Sequence, residues 1–115
     1  MLGIVGRGGA FASHLSLPAA NFHPVPDALS DEAAVLIEPT AAACEILAQV
    51  DIGPRATVAV VGDGRMALLV GQVLRTTGAS VTVLGEHARK LWVAQALGLA
   101  RWHMPRMTSH DQAST

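Results

Sequence analysis

The stretch VAVVGDGRMALLVGQVL, from Val58 to Leu74, places a run of small apolar side chains directly before two closely spaced glycines. After the glycines, apolar residues recur at helical spacing until Gly78 ends the segment. A short apolar run without alternation is typical of a central parallel strand covered on both faces. The stretch therefore predicts a strand, a sharp turn and a helix.

The residues that follow continue the same pattern. Residues 81–84, VTVL, predict a second buried strand, and residues 88–97 predict a helix that Gly98 ends. A strand, a helix and a second strand joined by short connections wind right-handed into a parallel sheet. The predicted fold class is α/β, with an incomplete Rossmann-type parallel βαβ unit.

The residues that precede the glycines predict a strand, a loop and a helix. Residues 9–17 alternate loosely between small or polar and larger apolar side chains, which indicates a half-buried strand closed by Pro18. The proline-rich segment 21–34, with Ser30 followed by Asp31 and Glu32, predicts a loop that leads into a helix N-cap. Pro39 suits the first position of a helix, because its missing N–H would have no intrahelical acceptor there. One face of that helix carries Ala42, Ile46, Leu47 and Val50.

Composition narrows the class of protein. A chain of 115 residues with 50% hydrophobic and 15% charged residues is long enough for one globular domain. A net charge of -1 without a Lys/Arg cluster argues against nucleic acid as a partner. A single cysteine excludes an internal disulfide framework and favours a reducing, cytoplasmic setting. No run approaches the ~20 apolar residues of a membrane span.

The glycine turn has the residue types of a phosphate-binding loop. Gly62, Gly64 and Ala67 match G-x-G-x-x-G/A, in which backbone N–H groups and the helix dipole favour a pyrophosphate. Glu86 lies about 20 residues further on, near where an acidic ribose ligand belongs. Glycines also end strands for purely steric reasons, so a structural βαβ turn stays open as the alternative.

Three blocks of the sequence resemble the zinc-dependent alcohol dehydrogenase, or medium-chain dehydrogenase/reductase, superfamily. They are GAFASHLSLPAANFHPVPDALSDEAAVLIEPTAAACEIL, VAVVGDGRMALLVGQVL and GASVTVLGEHARKLWVAQALG. The resemblance implies that residues 1–37 are the end of a GroES-like catalytic domain, contributing its strand and connecting loop. Residues 38–100 would be a partial Rossmann domain with its leading helix, and residues 101–115 an irregular tail. The chain is expected to be a central fragment.

The same resemblance implies an oxidoreductase that passes a hydride between an alcohol or polyol and NAD or NADP, while zinc polarises the oxygen. No catalytic residue carries over, and Glu38 is the one residue that matches a metal ligand. Because catalytic zinc usually needs three protein ligands, zinc is expected in complete relatives and not on this chain. The residues that carry over to the cofactor site are Gly62, Asp63, Gly64, Arg65, Met66, Ala67, Gly85 and Glu86.

The preference between NAD and NADP stays open. Gly85 stands where NAD-using members have an aspartate, and the resemblance to NADP-using members implies room for a 2′-phosphate there. Arg89 and Lys90 can help to bind that phosphate, whereas Glu86 would repel it.

A second functional hypothesis is a non-catalytic fragment or interaction module. Two parallel strands cannot enclose a doubly wound core, so an uncovered sheet edge can pair with another chain, including a second copy as a homo-oligomer. Cys44 is expected to be a small buried hydrophobe, and His14 and His23 to be surface residues. A soft metal site in the tail is disfavoured; its candidate ligands are His103, Met104, Met107 and His110.

Overall fold

The computed structural model describes residues 3–6 and 8–105, and the chain divides into two compact units between Ala34 and Val35. The first unit contains a 3₁₀ turn at Ala19–Asn21 and a short helix, α1, at Asp31–Ala34. The predicted strand over residues 9–17 is wrong, since no strand forms there. An alternating pattern needs a partner strand for its backbone groups, and Phe11 is fully exposed.

The second unit is a three-stranded parallel sheet with helices between its strands. The strand order is β1-β2-β3 and both pairings are parallel, which confirms the predicted α/β class with a Rossmann-type βαβ segment. Among the described residues, no helix is both long enough and apolar enough to cross a membrane. The elements are α2 (Ile37–Gln49), β1 (Thr57–Val61), α3 (Arg65–Thr76), β2 (Ser80–Gly85), α4 (Ala88–Ala96) and β3 (Ala100–His103).

Strand β2, and not β1, is the central strand of the sheet in the described residues. Side chains of β1 alternate between exposed and half-buried, and Val61 at its end is 74% exposed. The expectation that β1 is covered on both faces is therefore wrong. The continuous apolar run that predicts a covered strand is present in β1, but only one of its faces meets the core.

Strand β3 corrects the prediction of an irregular chain from Arg101 onward. Its backbone pairs with β2 from Thr82 opposite Ala100 to Gly85 opposite His103. All four β3 residues are exposed, so the strand is held by backbone hydrogen bonds and leaves no hydrophobic pattern in the sequence. Residues 106–115 lie outside the described part of the chain, and so do Met107 and His110 of the tail metal hypothesis.

The core lies between the sheet and the two helices that follow β1 and β2. Val83 and Leu91 are fully buried at its centre. A Cβ at Gly71 would lie 2.8 Å from Leu99 Cδ1, so a side chain there would force the buried Leu99 side chain to move. The buried cluster consists of Leu74, Ala79, Val81, Val83, Leu91, Ala94 and Leu99.

Helix α2 begins at Ile37, two residues before its predicted start, so that Pro39 lies in the first turn. Ala43 is its buried residue, and Ile46 and Leu47 pack against the core. Cys44 is exposed, so the expectation of a buried thiol is wrong. Neighbouring helical positions are separated by about 100° around the axis, and burial of Ala43 turns Cys44 away from the core.

We expect Val83→Ala to lower the free energy of unfolding by about 2 kcal/mol, because it removes buried methyl groups and leaves a cavity. Val61→Ala is the matched control: it makes the same change in β1 at a side chain that is 74% exposed. Urea titrations followed by circular dichroism would measure both. Equal losses in the two variants would contradict this assignment of the core.

Candidate functional site

The turn between β1 and α3 is fixed by the backbone of Gly62. Its φ of 124° lies in a region that residues with a side chain rarely adopt, and its N–H donates to the carbonyl of Leu84 over 2.7 Å. A Cβ at Gly62 would lie 3.8 Å from the Cβ of Ala67. Gly62 therefore serves the turn, and Ala67 lies where the motif needs close packing.

Gly64 differs from Gly62 because the fold itself does not require a glycine there. It is the N-cap of α3 with φ −80° and ψ 174°, an ordinary extended conformation, and a Cβ would meet no atom within 4 Å. The N–H groups of Arg65 and Met66, in the first turn, have no intrahelical acceptor. The missing side chain leaves these donors open to an approaching group.

Asp63 is the buried charged residue of the described chain, at 8% exposure. Its Oδ2 accepts a hydrogen bond from the backbone N–H of His87 over 2.7 Å, and Nδ1 of the His87 ring lies 2.9 Å from the same oxygen. An ionised carboxylate only accepts, so that Nδ1 carries the proton. Lys90 Nζ lies 3.4 Å from Oδ1. Asp63 thus links the glycine turn to the start of α4.

These partners keep the Asp63 carboxylate ionised. Burial raises the pKa of Asp63, but the hydrogen bonds from the backbone and ring of His87 and the positive charges of His87 and Lys90 outweigh burial. Together they lower its pKa from 3.8 to about 2.

The space beside Gly85, which the resemblance leaves to a 2′-phosphate, is filled by Asp63. A Cβ at Gly85 would lie 2.5 Å from Asp63 Cβ and 2.7 Å from Oδ2, closer than any side chain can approach. Gly85 is itself buried at the end of β2. Glycine at this position therefore makes room for a carboxylate of the chain.

Two open grooves flank Asp63 and contain most of the predicted cofactor residues. One groove has a volume of about 260 Å³ and runs along the ends of β1 and β2, past Gly85 and Glu86. The other, of about 680 Å³, runs past Gly64 and Arg65 to Lys90. Met66 is exposed beside them in the first turn of α3. The structure thus brings the glycine turn and the end of β2 together.

Glu38, the predicted metal ligand, lies elsewhere. It is exposed in the first turn of α2 and lines neither groove that contains Asp63. Within residues 3–6 and 8–105, no three His, Cys, Asp or Glu side chains come together as a metal site would require. The described residues therefore do not fit a catalytic zinc ion.

Sequence reasoning missed His87, the main partner of Asp63, and it gave Lys90 a different role. His87 is the N-cap of α4 but makes no capping bond with its own side chain. N-caps are usually Ser, Thr, Asp or Asn. A histidine at this position indicates that a side chain from elsewhere in the chain accepts a hydrogen bond at the start of the helix. Met104, which lines the smaller groove, left no signal, because β3 itself was not predicted.

Asp63→Asn is expected to reduce stability at neutral pH by about 1 kcal/mol. A pKa lowered from 3.8 to about 2 means that the ionised side chain stabilises the fold above its unfolded pKa, and that this contribution is lost as pH falls through the folded pKa. Because His87 and Lys90 are half-exposed, solvent screens their charges, and the loss of stability is smaller than the full pKa shift of Asp63 would imply.

The measurement is urea unfolding of wild type and variant between pH 7 and pH 2. The difference should shrink as pH falls from about 4 to about 2. Asp51→Asn, at an exposed aspartate, is the control and should show no such convergence. A difference that stays constant with pH would contradict the role of the carboxylate charge.

The known proteins that this chain resembles include dehydrogenases. The chain is 36% identical over 96 residues to L-galactonate-5-dehydrogenase of Escherichia coli K12, covering 83% of this chain and 28% of that protein. A protein of Escherichia coli CFT073 described as a short chain alcohol dehydrogenase, solved with NADH, superposes with a TM-score of 0.80 at 26% identity, over 92% of this chain and 32% of the other. A zinc-binding dehydrogenase of Sinorhizobium meliloti 1021, bound to NADP, gives 0.77 at 28% identity, over 84% and 29%.

No family model matches the chain. The chain spans less than a third of the length of each relative, and the matched part contains the glycine turn and the parallel strands around it. These relatives are dehydrogenases, and both of the structures just described hold a nicotinamide dinucleotide. By these matches and by its parallel βαβ segment, the chain belongs to the medium-chain zinc-dependent dehydrogenase superfamily.

Proposed function

We propose that this chain binds NAD or NADP through its glycine turn, as the cofactor-binding part of an oxidoreductase of the zinc-dependent alcohol dehydrogenase type. The reaction would be hydride transfer between an alcohol or polyol and the nicotinamide. Support comes from relatives that are dehydrogenases and from neighbouring structures solved with NADH and with NADP.

The observation that carries the proposal is the free space at Gly64. Gly62 is explained by its backbone, because φ is 124°, whereas Gly64 has an ordinary conformation and an unobstructed Cβ direction. A glycine that the fold does not need is explained by a ligand that comes close to the backbone. A pyrophosphate fits this position because the positive end of the α3 dipole and two unbonded N–H groups face it.

The charge around the turn agrees with an anionic ligand. Arg65 occupies the first turn of α3, where a cation is unfavourable for the helix dipole by itself. An anion between the helix and the guanidinium would remove that conflict. When bound, the nicotinamide would supply the hydride acceptor or donor, and the chain's own contribution would be to hold and orient the dinucleotide. No step through zinc is proposed, because the described residues do not form its site.

Gly64→Val is expected to abolish dinucleotide binding while leaving the fold intact. The valine side chain would extend into the space that the pyrophosphate needs, and its Cβ would meet no atom of the chain within 4 Å. Gly53→Val is the matched control, because a Cβ at Gly53 also meets nothing within 4 Å and Gly53 lies away from the turn. Titration with NADH and NADPH by calorimetry, with circular dichroism for the fold, would measure both.

Wild-type protein that binds neither nucleotide would contradict the proposal. Gly64→Val protein that binds as tightly as wild type would contradict the assignment of Gly64. Loss of binding in both glycine variants would indicate a nonspecific effect.

The second candidate function is an interaction module, favoured by the exposed edge of β1. Within the described residues β1 pairs on one side only, with β2, and Val61 is 74% exposed at its end. Unpaired strand edges with apolar side chains are templates for another strand, in a second copy of the chain or in a different one.

Analytical ultracentrifugation over a range of concentrations tests this second function. If β1 mediates self-association, Val61→Lys should shift the protein toward monomer, because charged side chains on an edge strand oppose pairing. A wild-type chain that is a stable monomer at every concentration, with or without nucleotide, would rule out self-association through this edge.

A further inference from the structure

Asp63 and Gly85 meet at the end of β2, where the side chain of one occupies the space that a side chain of the other would need. Gly62 N–H donates to the Leu84 carbonyl, which holds the glycine turn against the last residues of β2. The side chain of Asp63 then points over Gly85, with Oδ2 only 2.7 Å from where a Cβ of residue 85 would begin. The chain therefore supplies a carboxylate at the end of β2 from the preceding turn.

The Asp63 carboxylate still has capacity for a ligand. Its two oxygens have about four acceptor positions, and the donors in the chain are the backbone N–H and ring Nδ1 of His87 and the ammonium of Lys90. Asp63 also lines both open grooves of the site. A hydroxyl that enters either groove can donate a further hydrogen bond.

A dianionic group would be rejected at the same place. A phosphate beside Asp63 would face a carboxylate on a side chain that is only 9% exposed, so solvent screens their repulsion poorly. To neutralise itself the phosphate would have to draw Lys90 away, which would remove one of the partners that offset the burial of Asp63. The opposing attraction comes from Arg65 and Arg89, which are exposed and therefore screened by solvent.

We propose that Asp63 is the specificity-determining residue of the cofactor site: it accepts a hydrogen bond from the adenosine ribose of NAD and excludes the 2′-phosphate of NADP. This inference rests on the proposed dinucleotide binding. Gly85 is then the partner that makes the Asp63 position possible. The resemblance of Gly85 to NADP-using relatives is misleading in this chain, because the space that it leaves is already occupied.

The experiment compares the affinities for NADH and NADPH in the full chain by calorimetry. Wild type is expected to bind NADH at least about tenfold more tightly, as a lost charged hydrogen bond would imply. Asp63→Asn keeps the size of the side chain but removes its charge, and should reduce that ratio about tenfold. Asp51→Asn, the same change at an exposed aspartate outside the site, should keep the wild-type ratio.

A double variant that moves the carboxylate from residue 63 to residue 85 distinguishes an effect on cofactor specificity from an effect on folding. Asp63→Gly combined with Gly85→Asp moves the carboxylate to β2, and glycine is needed at 63 because any Cβ there would collide with one at 85. This double variant should again prefer NADH, whereas Asp63→Gly alone should not. Circular dichroism confirms that each variant is folded. If the double variant with Gly85→Asp unfolds, Asp63→Gly combined with Gly85→Glu replaces it.

Each outcome decides between the two proposals. If wild type binds neither nucleotide, the proposed function fails and this inference fails with it. If wild type binds both equally, or NADPH more tightly, dinucleotide binding stands and the role of Asp63 is wrong. A ratio that is unchanged in Asp63→Asn, or that shifts in Glu86→Gln instead, also overturns it.

Discussion

The close approach of the glycine turn to the end of β2 is the constraint on which the site depends. One backbone hydrogen bond, from Gly62 to Leu84, closes the gap, and the positive φ of Gly62 allows the chain to turn there. With the turn held at this distance, Asp63 reaches the N-terminus of α4 and accepts the His87 N–H. The start of α3, the end of β2 and the start of α4 are thereby joined around one buried carboxylate.

The two glycines of the motif have different physical causes. A sequence motif cannot say which glycine serves the backbone and which serves a ligand. The structure separates them. Gly62 has a positive φ, which glycine favours, whereas Gly64 has an extended backbone that any residue can adopt. A purely steric turn explains Gly62 alone. The open face at Gly64 is where the proposed dinucleotide would lie, and two related dehydrogenase structures hold such a ligand.

Sequence patterns predicted the elements that bury a continuous stripe of side chains and missed those that do not. β2, α3 and α4 carry the core residues Val83, Leu74 and Leu91, and their bounds agree with the predictions within a few residues. β3 has no buried side chain and is held by its backbone, so it left no periodic signal. Residues 9–17 have the alternation of a strand without forming one. The glycine turn was readable, but the contact of Asp63 with His87 spans 24 positions in the chain and no local rule predicts it.

The crowding of Asp63 against Gly85 also restricts how this site can change by mutation. An aspartate cannot be introduced at 85 while any side chain occupies 63, because the two Cβ atoms would lie 2.5 Å apart. In this backbone, single substitutions that move the acidic group from the turn to the strand pass through a chain with glycine at both positions and no carboxylate at either. That chain would lack the contact between Asp63 and the start of α4, so the two arrangements of the acidic group are separated by a variant of lower stability.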